Sequence, residues 1–171
     1  MRYLNVQILG LSGRPHPILH NVCTTQDVKK LRLHLKFLTC DYLTNERLAK
    51  DRPYLSSTCD LCTDHGTDCT DSIEHVLTSC KATREVRSRL YSELVNTVAL
   101  VQPMCAILTC HPLPPDILTQ FILDCTSANL PESFRIPLHN PDISKVYKIS
   151  RDWCYGISSE RSRLLKTISN K

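Results

Sequence analysis

Apolar positions recur at helical rather than strand spacing over most of this chain. Residues 1–24 are the exception, an irregular N-terminal segment punctuated by Gly10, Gly13, Pro15 and Pro17. From Thr25, a cap-forming residue with Asp27 in the first turn behind it, Leu31, Leu35, Leu38 and Tyr42 fall three or four apart and predict a helix. A strand pattern competes there, since Leu31, Leu33, Leu35 and Phe37 alternate with Arg32, His34 and Lys36. Length and the cap favour the helix. A short second helix over 45–50 must end before Pro53.

Residues 56–71 break the periodicity. They are a polar run of Ser, Thr, Asp and Cys around Gly66, too long for an unclamped loop in a compact domain. Asp71 and Glu74 are spaced as a capping box for a short helix carrying His75. A longer helix over 83–101 follows, with Val86, Leu90, Leu94, Val98 and Val101 on one stripe. Pro103 ends it, and Pro115 starts another over 116–125. The last helix, 142–169, carries Ile143, Val146, Trp153, Ile157, Leu164 and Ile168 three, four or seven apart, with Gly156 a point of weakness or kinking. The pattern predicts a mostly α, small helical domain with a clamped loop and a C-terminal amphipathic helix. It divides into an irregular segment 1–24, a helical module 25–102 and a helical extension 103–171.

Composition leaves this picture intact. Aliphatic, aromatic and cysteine residues make up 42% and charged residues 22% of the 171, ordinary for a chain with a packed core. The net charge of +4 is unevenly placed. From Lys145 onward seven Lys or Arg face only Asp152 and Glu160. Such a tail suits a polyanion and equally well a solvated helix face.

Ten cysteines change the picture more. The first ten residues make a poor signal peptide, and no stretch approaches the roughly 20 apolar residues that span a bilayer. The expectation is a protein that is not secreted and sits in the nucleus or cytoplasm with no membrane partner. There cysteines are thiols or metal ligands rather than disulfides. Most of Cys23, Cys40, Cys105, Cys110, Cys125 and Cys154 stand in or beside apolar runs and read as small core residues.

The remaining cysteines form a pattern. Cys59 and Cys62 are separated by two residues, His75 follows after twelve and Cys80 after four more. Three thiolates and one imidazole complete a closed tetrahedral site for one structural zinc ion, with no position left for substrate. The ion clamps the loop, worth on the order of 10–16 kcal/mol apparent in small zinc modules. His65 and Cys69 are rival ligands in the middle of that loop. Residues five apart on a regular helix differ by roughly 140° around its axis. His75 and Cys80 therefore require the helix to end near Ser79, with Cys80 in a kink. A redox reading of Cys59 and Cys62 lacks the βαβ context it needs.

Three stretches carry a resemblance: LHLKFLTCDYLT from Leu33 to Thr44, CDLC from Cys59 to Cys62, and EHVLTSC from Glu74 to Cys80 with ATREVR following it. Together they resemble the region downstream of the polymerase in non-LTR (LINE-type) retrotransposon reverse transcriptases, over roughly residues 28–95. That region pairs a helical arginine/histidine–leucine segment with a Cys-Cys-His-Cys motif. The resemblance extends less specifically to Ile122–Thr126, Leu130, Pro131 and Ser150–Tyr155. It implies zinc ligation by Cys59, Cys62, His75 and Cys80, an upstream polymerase domain as neighbour, and a grip on template RNA or target DNA. Lys81, Arg84, Arg87 and Arg89, just past the last ligand, are the cations placed to reach phosphates. The family often has Gly where Cys40 stands.

Catalysis is not expected of this chain, nor is a small-molecule substrate. The aromatic-x-Asp-Asp signature of the polymerase is missing, and no two Asp are adjacent. Cys110 and His111 are neighbours that point apart too readily to serve as nucleophile and base. The expectation is a zinc-stabilised nucleic-acid-binding module. The alternative is a module that serves structure or protein interaction without touching nucleic acid.

Overall fold

A computed structural model of the chain describes residues 16–63, 66–110 and 112–170. Helices and turns make up its regular structure, and among the described residues no strand forms beyond an isolated bridge between Thr58 and Thr70. The helices are α1 (Thr25–Leu38), α2 (Asn45–Asp51), α3 (Asp60–Thr63), α4 (Arg84–Val101), α5 (Pro115–Leu123) and α6 (Ile143–Ser169). The expected mostly α architecture is therefore the observed one. The rival strand pattern in 31–37 loses because helix α1 buries His34, Phe37 and Leu38 on one side while Leu31, Leu33 and Leu35 pack at its margins.

Local chemistry sets the boundaries. The cap of α1 is Thr24, one residue before the one expected: its hydroxyl accepts the Asp27 N–H, and the Asp27 carboxylate accepts the Thr24 N–H. Helix α5 stops at Leu123, because the buried Asp124 turns outward from the helix to accept the Thr126 N–H and hydroxyl and the Tyr147 hydroxyl. Cys125 thus lies beyond the helix expected to contain it.

Helix α6 is the spine. It lies against α4 on one side and α1 on the other, and buries Ile143, Val146, Tyr147, Trp153, Cys154 and Ile157. The stripe Leu90, Leu94, Val98 and Val101 of α4 faces it, with Val86 partly buried. Helix α6 runs through Gly156 without a break. A Cβ there would meet the Leu90 Cδ1 methyl at 3.3 Å and Val86 Cγ1 at 3.6 Å, so α4 packs directly over the glycine and little more than a methyl fits between them. One core cluster runs from Ile18 to Ile157, drawing on residues from both sides of position 102. A second, smaller cluster holds Cys59, Leu61, Cys62 and Cys80, against which Leu164, Leu165 and Ile168 of α6 pack.

No helix is long and apolar enough to cross a membrane among the described residues. All ten cysteines are free thiols, and Cys105, Cys125 and Cys154 are buried as expected. Cys23 is exposed, which the apolar-run reading did not anticipate.

Candidate metal centre

The loop expected to need a clamp is closed at its base by backbone hydrogen bonds. Cys59 N–H donates to the Cys69 carbonyl at 2.8 Å and Asp71 N–H to the Ser57 carbonyl at 2.8 Å. Helix α3, a single turn, brings Cys62 round beside Cys59. Past it Gly66 adopts φ +68°, and Thr67 N–H reaches back to the Cys62 carbonyl at 3.0 Å.

His75 and Cys80 meet by a device sharper than the expected kink. Residues His75–Ser79 form a π turn, closed by a bond from Cys80 N–H to the His75 carbonyl at 2.8 Å. An i→i+5 ring wraps five residues into about one turn, so residues that a regular helix would separate come to the same side. Cys80 itself sits at the break between this turn and the 3₁₀ turn Lys81–Thr83. The entry to the turn is capped by Ser72, whose hydroxyl accepts the His75 N–H at 3.1 Å. Asp71, expected to be the cap, is instead drawn inward, where its Oδ2 accepts the Asn45 N–H at 2.8 Å and an Arg161 N–H at 2.7 Å. A buried carboxylate without a cation is far costlier than a missing cap, and Arg161 decides the matter.

The four expected ligands converge. One donor atom from each of Cys59, Cys62, His75 and Cys80 lies within 4.8 Å of all the others, and all four side chains are buried. The Cys62 and Cys80 sulfurs are 3.8 Å apart, those of Cys59 and Cys80 4.0 Å, and Cys62 Sγ is 3.4 Å from His75 Nε2. A tetrahedron with metal–sulfur bonds of about 2.3 Å and a metal–nitrogen bond of about 2.0 Å has edges of about 3.8 and 3.5 Å. These edges match those of such a tetrahedron, and the sulfurs are far outside disulfide distance. Donor set and spacing both fit a divalent metal ion.

The electrostatics point the same way. The Cys59 thiol is held down to about 2, first by hydrogen bonding from Cys80 and then, against the opposing effect of burial, from His75 and Arg161. Cys80, the partner in that bond, is pushed well above its ordinary value by the same contact and then by burial. Burial also pushes Cys62 up. A cation among the sulfurs favours the thiolate form of all three. Backbone N–H groups already aim at the sulfurs: Cys62 at Cys59, Lys81 at Cys62 and Ala82 at Cys80.

Of the rivals, Cys69 is half-buried and packs beside the cluster without joining it. His65 lies outside the described residues, as does His111. Among the four cations past the last ligand, Lys81, Arg84 and Arg89 are exposed, and Lys81 Nζ donates to the Thr67 hydroxyl at 2.9 Å. Arg87 is half-buried, and its Nη1 donates to the Cys80 carbonyl at 2.7 Å, just past the π turn. Two cations of the basic tail turn inward: Arg151 is buried against the Ile18 carbonyl at 2.7 Å, and Arg161 is buried at the metal centre.

Three residues of the site were not singled out in the sequence. By pattern alone Asp71 is a helix cap, Trp153 a core position and Arg161 one cation of the basic tail. The Trp153 indole N–H donates to the Leu77 carbonyl of the π turn at 3.1 Å. Arg161 did leave a signal. It stands four residues after Ile157 and three before Leu164, a charge in the apolar register of an amphipathic helix, which requires a buried partner.

Scans against protein-family models, curated proteins and solved structures return no match for this chain.

Proposed function

We propose that the chain is a zinc-clamped, non-catalytic module that binds RNA or DNA, one structural Zn²⁺ being held by Cys59, Cys62, His75 and Cys80. The observation that carries this reading is the buried Cys₃His cluster, which fills all four positions of a tetrahedral ion and leaves none for substrate or activated water. Such an ion folds a segment and presents what flanks it. Here the flank is the 3₁₀ turn Lys81–Thr83 and the first turns of α4, where Lys81, Arg84 and Arg89 stand in water. The resemblance to the region after the polymerase of LINE-type reverse transcriptases supplies the class of partner: a nucleic acid, with a polymerase domain as neighbour.

Salt dependence tests the reading. Binding of short RNA hairpins and DNA duplexes is measured by fluorescence anisotropy between low and physiological salt for the protein and for a K81E/R84E/R89E variant. Each phosphate contact adds about 0.7–0.9 to the slope of log affinity on log salt. The variant is therefore expected to lose about 2–3 of slope and most of its affinity. Absent or salt-insensitive binding by the unmodified protein contradicts it.

That second outcome favours the alternative, a structural or protein-interaction module. Two features support it: Arg87, Arg151 and Arg161 are taken up internally, and Leu100 at the end of α4 and Met104 just beyond it are 82% and 88% exposed.

A further inference from the structure

The metal cluster and the C-terminal helix are far apart in sequence yet share one arginine. Arg161, on the last third of α6, is 5% exposed. Its Nη1 donates to Cys59 Sγ at 3.5 Å and its Nη2 to Asp71 Oδ2 at 2.7 Å. The same Asp71 oxygen accepts the N–H of Asn45 at the start of α2. One guanidinium therefore joins a metal-ligand sulfur, the loop behind it and a third helix. Beyond Arg161, Leu164, Leu165 and Ile168 cover the cluster formed by Cys59, Leu61, Cys62 and Cys80. Arg161 is the buried cation at this cluster and the counter-charge of Asp71, so neither partner can leave without stranding the other.

We propose that Arg161 is a positioning residue of the metal centre, and that metal binding and the docking of residues 161–169 onto the knuckle, the metal-closed unit of residues 57–83, are one linked equilibrium. The inference rests on reading the four ligands as a zinc site. In the loaded protein the sulfur that receives the Arg161 N–H is a thiolate, and the hydrogen bond draws off part of the charge that three thiolates crowd around one ion. Loss of the ion removes the order of Cys59 and with it the anchor of α6 beyond Ile157. The far end of α6 then loosens while its first half, buried between α1 and α4, stays packed. The metal thus decides whether the chain presents a covered knuckle or an exposed strip of Leu164, Leu165 and Ile168.

Two measurements test this together. Zinc affinity is taken by competition with a chelator of known affinity, and amide hydrogen exchange is followed before and after chelation. In the unmodified protein, chelation is expected to raise exchange in 161–169 and in 57–83 together, leaving α1 and α5 protected. A D71N/R161M double variant removes both charges, so no lone buried ion remains to unfold it. It is expected to bind zinc about 10–100-fold more weakly while its Co²⁺ form keeps the tetrahedral sulfur-rich spectrum, and exchange in 164–169 should no longer follow the metal. R161K keeps a charge for Asp71 without the two-pronged fork and should recover helicity but not affinity. Zinc affinity equal to the unmodified protein in either variant, or exchange in 161–169 indifferent to chelation, overturns the linkage and leaves the zinc site standing. An unmodified protein that binds no zinc overturns both. If the double variant fails to fold, the exchange of the unmodified protein decides alone.

Discussion

Cys40 has φ +61°, in the left-handed region that costs an L-residue roughly 1–2 kcal/mol. The position is forced by the end of α1: Asp41 N–H bonds back to the Lys36 carbonyl at 2.7 Å and Cys40 N–H to that of Phe37 at 3.1 Å, a Schellman closure. Cys40→Gly is expected to stabilise the fold by about 0.5–1 kcal/mol, seen as a raised urea midpoint. An unchanged or lowered midpoint counts against the strain. His34 offers a second residue-scale test. Burial comes first among the causes that hold it down to about 4, from an ordinary value of 6.5. Its Nε2–H donates to the Leu123 carbonyl at 2.9 Å, while Nδ1 has no partner. Between those two values the unfolded chain carries a proton the folded one refuses, so stability falls as pH drops from 6.5 towards 4. The loss from this group is on the order of 3 kcal/mol. His34→Gln keeps a donor for Leu123 and should flatten that part of the stability–pH curve; an equally steep curve contradicts the assignment.

At this scale the sequence was most legible where chemistry has a spacing. Two cysteines two residues apart, with a histidine and a third cysteine following, identify themselves as a group. Asp71 did not, because its local surroundings fit a cap and its real partner lies ninety residues away. Nothing local marks Arg87 as turning inward either, since a guanidinium's destination is a matter of tertiary structure.

Among the elements, helix positions followed from periodicity and caps, while the π turn had no signature beyond the awkward five-residue spacing of its ligands. That spacing showed that a regular helix could not serve, without saying which irregularity would. The turn leaves the Leu77 and Cys80 carbonyls to be met from outside, by Trp153 and Arg87. Trp153→Phe removes the indole N–H, and an unmet buried carbonyl costs about 1–3 kcal/mol; chemical denaturation should register that loss, and a variant as stable as the parent would deny the bond its role. Gly156 gives a contrasting pair. Alanine gains roughly 0.8–1.0 kcal/mol of helix propensity, and the strain of displacing the buried Leu90 methyl at 3.3 Å offsets that gain, so G156A should lie near neutral. Leucine there drives α4 and α6 apart, costing about 1–3 kcal/mol, and a Gly156→Leu variant that melts with the parent would show the helices are not in close contact.

Over the whole molecule, α6 joins two stabilising systems that sequence order separates. Its first half completes the apolar core with α1 and α4, and its second half covers the cysteine cluster. Amphipathic periodicity revealed the first role and, through Leu164 and Ile168, only hinted at the second, since periodicity shows a face but not what covers it. The account as a whole depends on one ion being held by four named side chains. X-ray absorption at the zinc edge, with metal quantified per chain, tests this most directly. One zinc per chain is expected, with three sulfurs at about 2.3 Å and one nitrogen at about 2.0–2.1 Å, and with the signal lost in a C59S/C62S variant. Substoichiometric metal in the unmodified protein, a four-sulfur shell, or full zinc retained by the variant would contradict it.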